Sequence, residues 1–244
     1  MRRRVLIAAA VLMTVVSCGG KEAVRERALT QEEADRLASV MFMNHEKQGA
    51  TFELTTSFTS TGDTLSMQGI IDWVNHRGRA VVSARGQEEG VAEVVWAQSV
   101  ILERRPGLDA MLASTGHPGA RYIARPPDPK NRQLDRAVAV LTGLASSVRD
   151  NGILILQKAG SAFMRTDTWR GKSVEVLRFG TQNRFWLEKG TDTLRRFDGN
   201  AAAGSAPIII DFTEFGTRSI APPPSAMVVA VDSVRDLYSS VTSG

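Results

Sequence analysis

After Gly49 the hydrophobic period of this 244-residue chain changes from helical to alternating, and the runs that follow are separated by very short turns. Thr51 to Phe58 alternates apolar and polar residues, Thr61-Gly62-Asp63 makes a turn, and Leu65 to Val74 runs on as a second strand. Gly78 opens an extended run over Arg79 to Arg85. Gly90 opens another, through Val91, Val94, Val95 and Trp96 into Val100, Ile101 and Leu102. Parallel neighbours need a crossover connection of a dozen or more residues, so these strands form an antiparallel meander.

A helix precedes the meander. Thr30 followed three residues later by Glu33 is a capping-box pattern, and Ala34, Leu37, Ala38, Met41 and Phe42 keep helical spacing up to Gly49, which predicts a helix near 31 to 47. The cluster Met41, Phe42, Met43 either lines a ligand site or packs as a helix face on a sheet, the latter being the commoner fate. Further on, Arg125-Pro126-Pro127-Asp128-Pro129 breaks regular structure. Gln133 to Val148 then places Leu134, Ala137, Val138, Leu141, Leu144 and Ala145 on one helical face, and the pattern allows a shorter helix over Ile153 to Lys158. Strands return at Ser173 to Phe179, Arg184 to Leu187, Thr193 to Phe197 and Ile208 to Phe215, with a helix-capable tail from Asp232 to Val241.

This order predicts an α+β fold: a strongly curved antiparallel sheet of seven to nine strands, a half-open barrel with the helices over its concave face. The interior of such a fold is either packed solid or hollow. Inward positions that would line a hollow one are Phe52, Leu54, Ile70, Trp73, Val95, Leu141, Leu144, Val176 and Trp186, for each of which plain core packing is the commoner fate.

The N-terminus carries the one cysteine of the chain. Arg2, Arg3 and Arg4 precede an apolar run from Val5 to Val16, too short to span a bilayer, which is the layout of an export signal. Val15-Val16-Ser17-Cys18 resembles the bacterial lipobox, whose cysteine is acylated and becomes the first residue after cleavage. The expected organisation is a signal peptide at 1–17, a lipidated N-terminus and tether at 18–29, and one domain at 30–244. With no second cysteine the exported domain has no intrachain disulfide and is held by its core alone. Losing the three arginines lowers the Lys and Arg count from 30 to 27 against 26 acids. No dense basic block with aromatics remains, so nucleic acid is set aside as a partner.

Catalytic chemistry has no visible carriers. His45, His76 and His117 lack paired ligand spacing, so neither a metal nor another cofactor is expected, and no GxSxG elbow or glycine-rich phosphate loop is present. The Gly116-His117-Pro118-Gly119 stretch reads as a turn with an exposed histidine.

Several stretches, LTQEEADRLASVMFMNHEKQG, VVWAQSVILERRPG, FMRTDTWRGKSVEVLRFG, NRFWLEKGTDTLRRFDG and IIIDFTEFGTRSIAPPPSAM, together spread from Leu29 to Met227, resemble those of actinobacterial envelope lipoproteins of the LppX and LprG type, which share a fold with the lipoprotein carrier LolA. In the fourth stretch the resemblance implies that Trp186 and the leucines face inward; in the fifth, Gly216 permits the chain to leave the sheet. For the whole chain it implies a non-enzymatic lipoprotein on the extracytoplasmic face of the cell membrane, binding or shuttling a lipid or other hydrophobic ligand in a cavity between sheet and helices. The alternative on the same fold is a regulatory or scaffold lipoprotein that recognises another envelope protein.

Overall fold

The computed structural model describes residues 26–57, 62–86, 89–200 and 206–242. The export segment, the lipobox and Cys18 lie outside the described residues. Helix α1 (Gln31–Glu46) starts as its sequence dictates: the Thr30 hydroxyl accepts from the Glu33 amide while the Glu33 carboxylate accepts from the Thr30 amide. Arg27 grips the same carboxylate with two bonds of 2.6 and 2.7 Å, and this pairing holds Glu33 below the usual carboxylate range.

The chain then runs through β1 (Gly49–Ser57), β2 (Thr64–Asp72), β3 (Arg77–Arg85), β4 (Glu93–Ala97), β5 (Val100–Arg104), α2 (Leu108–Ser114) and β6 (Tyr122–Arg125). The middle holds α3 (Gln133–Gly143) and α4 (Gly152–Gln157). A second meander follows as β7 (Ala162–Trp169), β8 (Lys172–Phe179), β9 (Asn183–Glu188), β10 (Leu194–Asn200) and β11 (Pro207–Phe215), and the chain closes with β12 (Val228–Ala230) and α5 (Arg235–Thr242). Gly216 leaves β11 at φ 139°, a conformation that favours glycine.

Among the described residues these strands form one curved, unclosed sheet of twelve, in the order β12-β6-β5-β4-β3-β2-β1-β11-β10-β9-β8-β7. The two meanders join where β1 pairs with β11. The sheet is larger than the expected seven to nine strands for three local reasons. The run from Val91 to Leu102 is a hairpin rather than one strand, β6, β7 and β12 are short or polar on one face, and β12 adds at the edge parallel to β6.

All five described helices lie on one face. Ala34, Leu37, Ala38 and Val40 of α1, Leu134, Ala137, Val138 and Leu141 of α3 and Ile155 of α4 pack on Phe52, Leu54, Met67, Ile71, Val94, Leu177, Phe185 and Leu187 of the sheet. On β6, Ile123 faces the same way as Val94, since both oppose Glu103 in register, and Ile123 packs with Leu108 and Leu112 of α2 and Leu237 of α5. Between these two apolar groups sits a buried ionic cluster. Arg125 donates to Glu103 at 2.6 Å and in bidentate fashion to Asp135 at 2.5 Å, Arg105 reaches Glu103 at 3.5 Å, and Tyr238 of α5 donates to Glu103 at 3.2 Å.

At two glycines of the sheet there is no room for a side chain. A Cβ on Gly78 would lie 1.8 Å from the Trp96 ring, and one on Gly69 would lie 2.0 Å from the Arg79 carbonyl oxygen. Neighbouring strands therefore approach more closely there than any larger residue allows.

Candidate functional site

Of the nine positions singled out in the sequence, five reach the helix-covered core: Phe52, Leu54, Trp73, Leu141 and Leu144. They are buried among other side chains. The Trp73 indole donates to the Leu141 carbonyl at 3.1 Å, and its ring lies 5.5 Å from that of Phe212. The other four point the opposite way. Ile70 opposes Thr51 and Arg79 on the uncovered face, Val95 packs with Leu102 and Tyr122 there, and Val176 and Trp186 pack with Trp169 and Val174. Successive strand residues face opposite sides, so Trp186 cannot share a face with Leu187, and it is Leu187 that enters the core. None of the nine lines the cleft under α4 or the cleft beside α3.

Open apolar space lies instead at one end of the helix layer. Leu37 and Met41, one turn apart on α1, form one wall; Leu154 and Ile155 of α4 form the other; Phe179, the last residue of β8, and Phe185 of β9 form the floor. The cleft between them has a volume of about 240 Å³, and Asp150 and Asn151 are its polar residues. Asn151 is already committed, because its side-chain oxygen caps α4 at the Ile153 amide. The floor is braced by Phe197, whose ring meets that of Phe185 edge-on at 5.2 Å. Of the methionine cluster at 41 to 43, Met41 is the residue that lines this space.

The position of α4 follows from its sequence. In Gly152-Ile-Leu-Ile-Leu-Gln, only Gly152 and Ile155 are buried. Gly152 lies so close to α1 that a Cβ there would sit 2.0 Å from an Asp35 carboxylate oxygen, and the Asp150 amide donates to the Ala38 carbonyl at 3.2 Å. Pinned at this point, six residues cannot turn four large aliphatic side chains inward. Ile153, Leu154 and Leu156 are 55, 64 and 38% exposed, and Val148 just before them is 70% exposed. That is an apolar lip beside an apolar cleft, which soluble surfaces rarely present without a purpose.

A second cleft, about 350 Å³, lies between α3 and the β4–β5 hairpin and is lined by Trp96, Ile101 and Val138 together with His76, Gln98, Asp135 and Thr142. Its surface is about as apolar as that of the first, and its Asp135 already belongs to the ionic cluster. The three histidines sit on α1, on the β2–β3 turn and on the loop before β6. Among the described residues no three of His, Cys, Asp and Glu converge as a metal-holding group, and no helix is long and apolar enough to cross a membrane.

No family model matches the chain, and no curated protein matches it. Among solved structures it is similar to LprF from Mycobacterium bovis at 13% identity, over 79% of this chain and 97% of that one, with a TM-score of 0.45. It is also similar to an outer membrane lipoprotein-sorting protein domain from Vibrio parahaemolyticus at 8% identity, over 78% and 95%, with a TM-score of 0.32. The complex of MucA and MucB from Pseudomonas aeruginosa gives 13% identity over 80% of this chain and 59% of that one, with a TM-score of 0.32. These are distant likenesses.

Proposed function

We propose that this chain is an extracytoplasmic lipoprotein, anchored through acylated Cys18, that binds a hydrophobic small molecule by its alkyl portion and performs no chemistry on it. The single observation that carries this reading is the apolar cleft under α4, six of whose eight lining residues are Leu, Ile, Met or Phe. Each buried methylene is worth about 0.8 kcal/mol, so an alkyl chain is held by contact area rather than by placed polar groups.

The volume limits the ligand. A cavity of about 150 Å³ lined by such residues takes a benzene molecule, so the cleft here, about 240 Å³, accepts by proportion roughly ten carbons. It suits one segment of a single acyl chain, with the headgroup left outside near Asp150. A whole diacyl lipid does not fit between sheet and helices, because Phe52, Leu54 and Trp73 occupy that space.

The test is native mass spectrometry of the chain from residue 19, which retains every described residue, together with titration by a fluorescent fatty acid. An adduct with the mass of an acyl compound, lost in Met41→Trp, is the expected result. A chain that carries no adduct and takes up no probe would falsify the reading. Metabolic labelling with palmitate, abolished by Cys18→Ser, tests the anchor separately.

A further inference from the structure

The N-terminal end of the described chain is fastened beside the apolar lip. Arg27 pairs its backbone with Phe163 at the start of β7, through bonds of 2.9 and 3.0 Å. Glu26 is paired with Arg178, whose Nε donates at 2.7 Å to the carbonyl of Gly160 in the turn that follows α4. Arg178 in turn immediately precedes Phe179, a floor residue of the cleft. The leader therefore departs from the same end of the molecule that carries Ile153, Leu154 and Leu156. Cys18 lies only eight residues before Glu26, a span of at most about 29 Å when fully extended.

A tether of that length holds the Glu26 end of the fold within about 29 Å of an acylated Cys18, close enough for the apolar lip to reach the bilayer. The surface there is suited to lipid. Val148, Ile153, Leu154 and Leu156 are exposed aliphatics, and Arg149 and Lys158 flank them as exposed cations, so apolar tips and basic flanks stand together as they do in interfacial segments. Arg149 is extended across the Phe42 ring, 5.3 Å from its centroid, rather than paired across the lip.

We propose that α4 and Val148 form a membrane-seating lip: the exposed aliphatics enter the interfacial layer of the bilayer that holds the acylated Cys18, so that the cleft opens onto lipid and not onto water. The inference rests on the acylated-anchor and apolar-cleft reading. It adds the partner of that site, a bilayer surface, and a route by which an alkyl chain passes between bilayer and cleft without crossing water.

The chain from residue 19 has no cysteine, so Ile153→Cys can carry a single polarity-sensitive dye, with Val81→Cys on the uncovered face as the reference. With vesicles of equal parts phosphatidylglycerol and phosphatidylethanolamine, a blue shift and a several-fold rise in emission are expected at 153 and neither at 81. Ile153→Asp combined with Leu156→Asp, two residues that do not line the cleft, is expected to lower vesicle co-flotation at least ten-fold while leaving fatty-acid affinity within about two-fold. An unresponsive dye at 153, or equal responses at 153 and 81, overturns the lip. A chain that binds the fatty acid but ignores vesicles removes the lip and keeps the cleft, whereas one that does neither removes both.

Discussion

Lys47, the C-cap of α1, donates from its ammonium group to the Thr193 hydroxyl at 2.7 Å and lies 4.7 Å above the Phe215 ring. Burial, with Arg195 as a repelling neighbour, lowers its pKa from 10.5 to about 8. Between those two values the unfolded chain holds a proton that the folded chain has released, so this group makes stability rise with pH across the window from about 8 to 10.5. Urea midpoints of wild type and Lys47→Met, compared from pH 7 to 10, should converge as pH rises, with the variant the more stable at pH 7; midpoints that run parallel contradict the assignment. The ionic cluster behaves differently, since its charges are already committed to partners. Arg125→Met leaves Glu103 and Asp135 buried without their main cation and is expected to cost about 3–5 kcal/mol by chemical denaturation. Phe52→Ala should cost a similar amount, about 3–5 kcal/mol, by leaving a hole in the core, yet leave fatty-acid affinity intact because Phe52 does not line the cleft. Of the sequence signals, the Thr30 and Glu33 pair was fully legible because a capping box is local. The inward or outward sense of Ile70, Val95, Val176 and Trp186 was not, because it turns on register: in strands with large apolar residues on both faces a parity error of one reverses every side chain.

At the scale of elements, periodicity located α1, α3 and the hairpins of both meanders, since each repeats its own pattern over several turns or alternations. It missed α2, β6 and β12, which are short, and β7, whose middle residues Arg165, Thr166 and Asp167 are polar. Such pieces are ordered by what they pack on, as β12 is by β6 and α2 by Ile123. The β3–β4 pair leaves no room for a side chain at Gly78. Gly78→Ala drives a methyl group into the Trp96 ring, and overpacking of this kind costs about 1–3 kcal/mol. In a double-mutant cycle Trp96→Leu should recover part of that loss, and strict additivity would show that the ring is not what the methyl meets. The run Ile153 to Lys158 did announce a short helix, realised one residue earlier as α4, but not which way its aliphatics face; the tight contact of Gly152 on α1 decides that three of them face solvent.

For the molecule as a whole, the class of fold followed from the order of helix, meander, helices and meander, whereas the place of the binding space did not. A sheet of twelve strands covered on one face has ample room to be hollow, and large side chains from α1, α3 and the central strands fill it. Which part stays open is settled at the end of the helix layer, where the short α4 gives incomplete cover over Phe179 and Phe185. That outcome depends on the lengths of α3 and α4 and on the angle of the chain between them, none of which is encoded in hydrophobic period. The most direct measurement is therefore cross-linking with a photoreactive fatty acid followed by peptide mapping. Adducts on the α1 segment around Met41, on α4 or on the β8–β9 hairpin are the predicted result; adducts confined to the α3–β4–β5 cleft, or no adduct at all, contradict it.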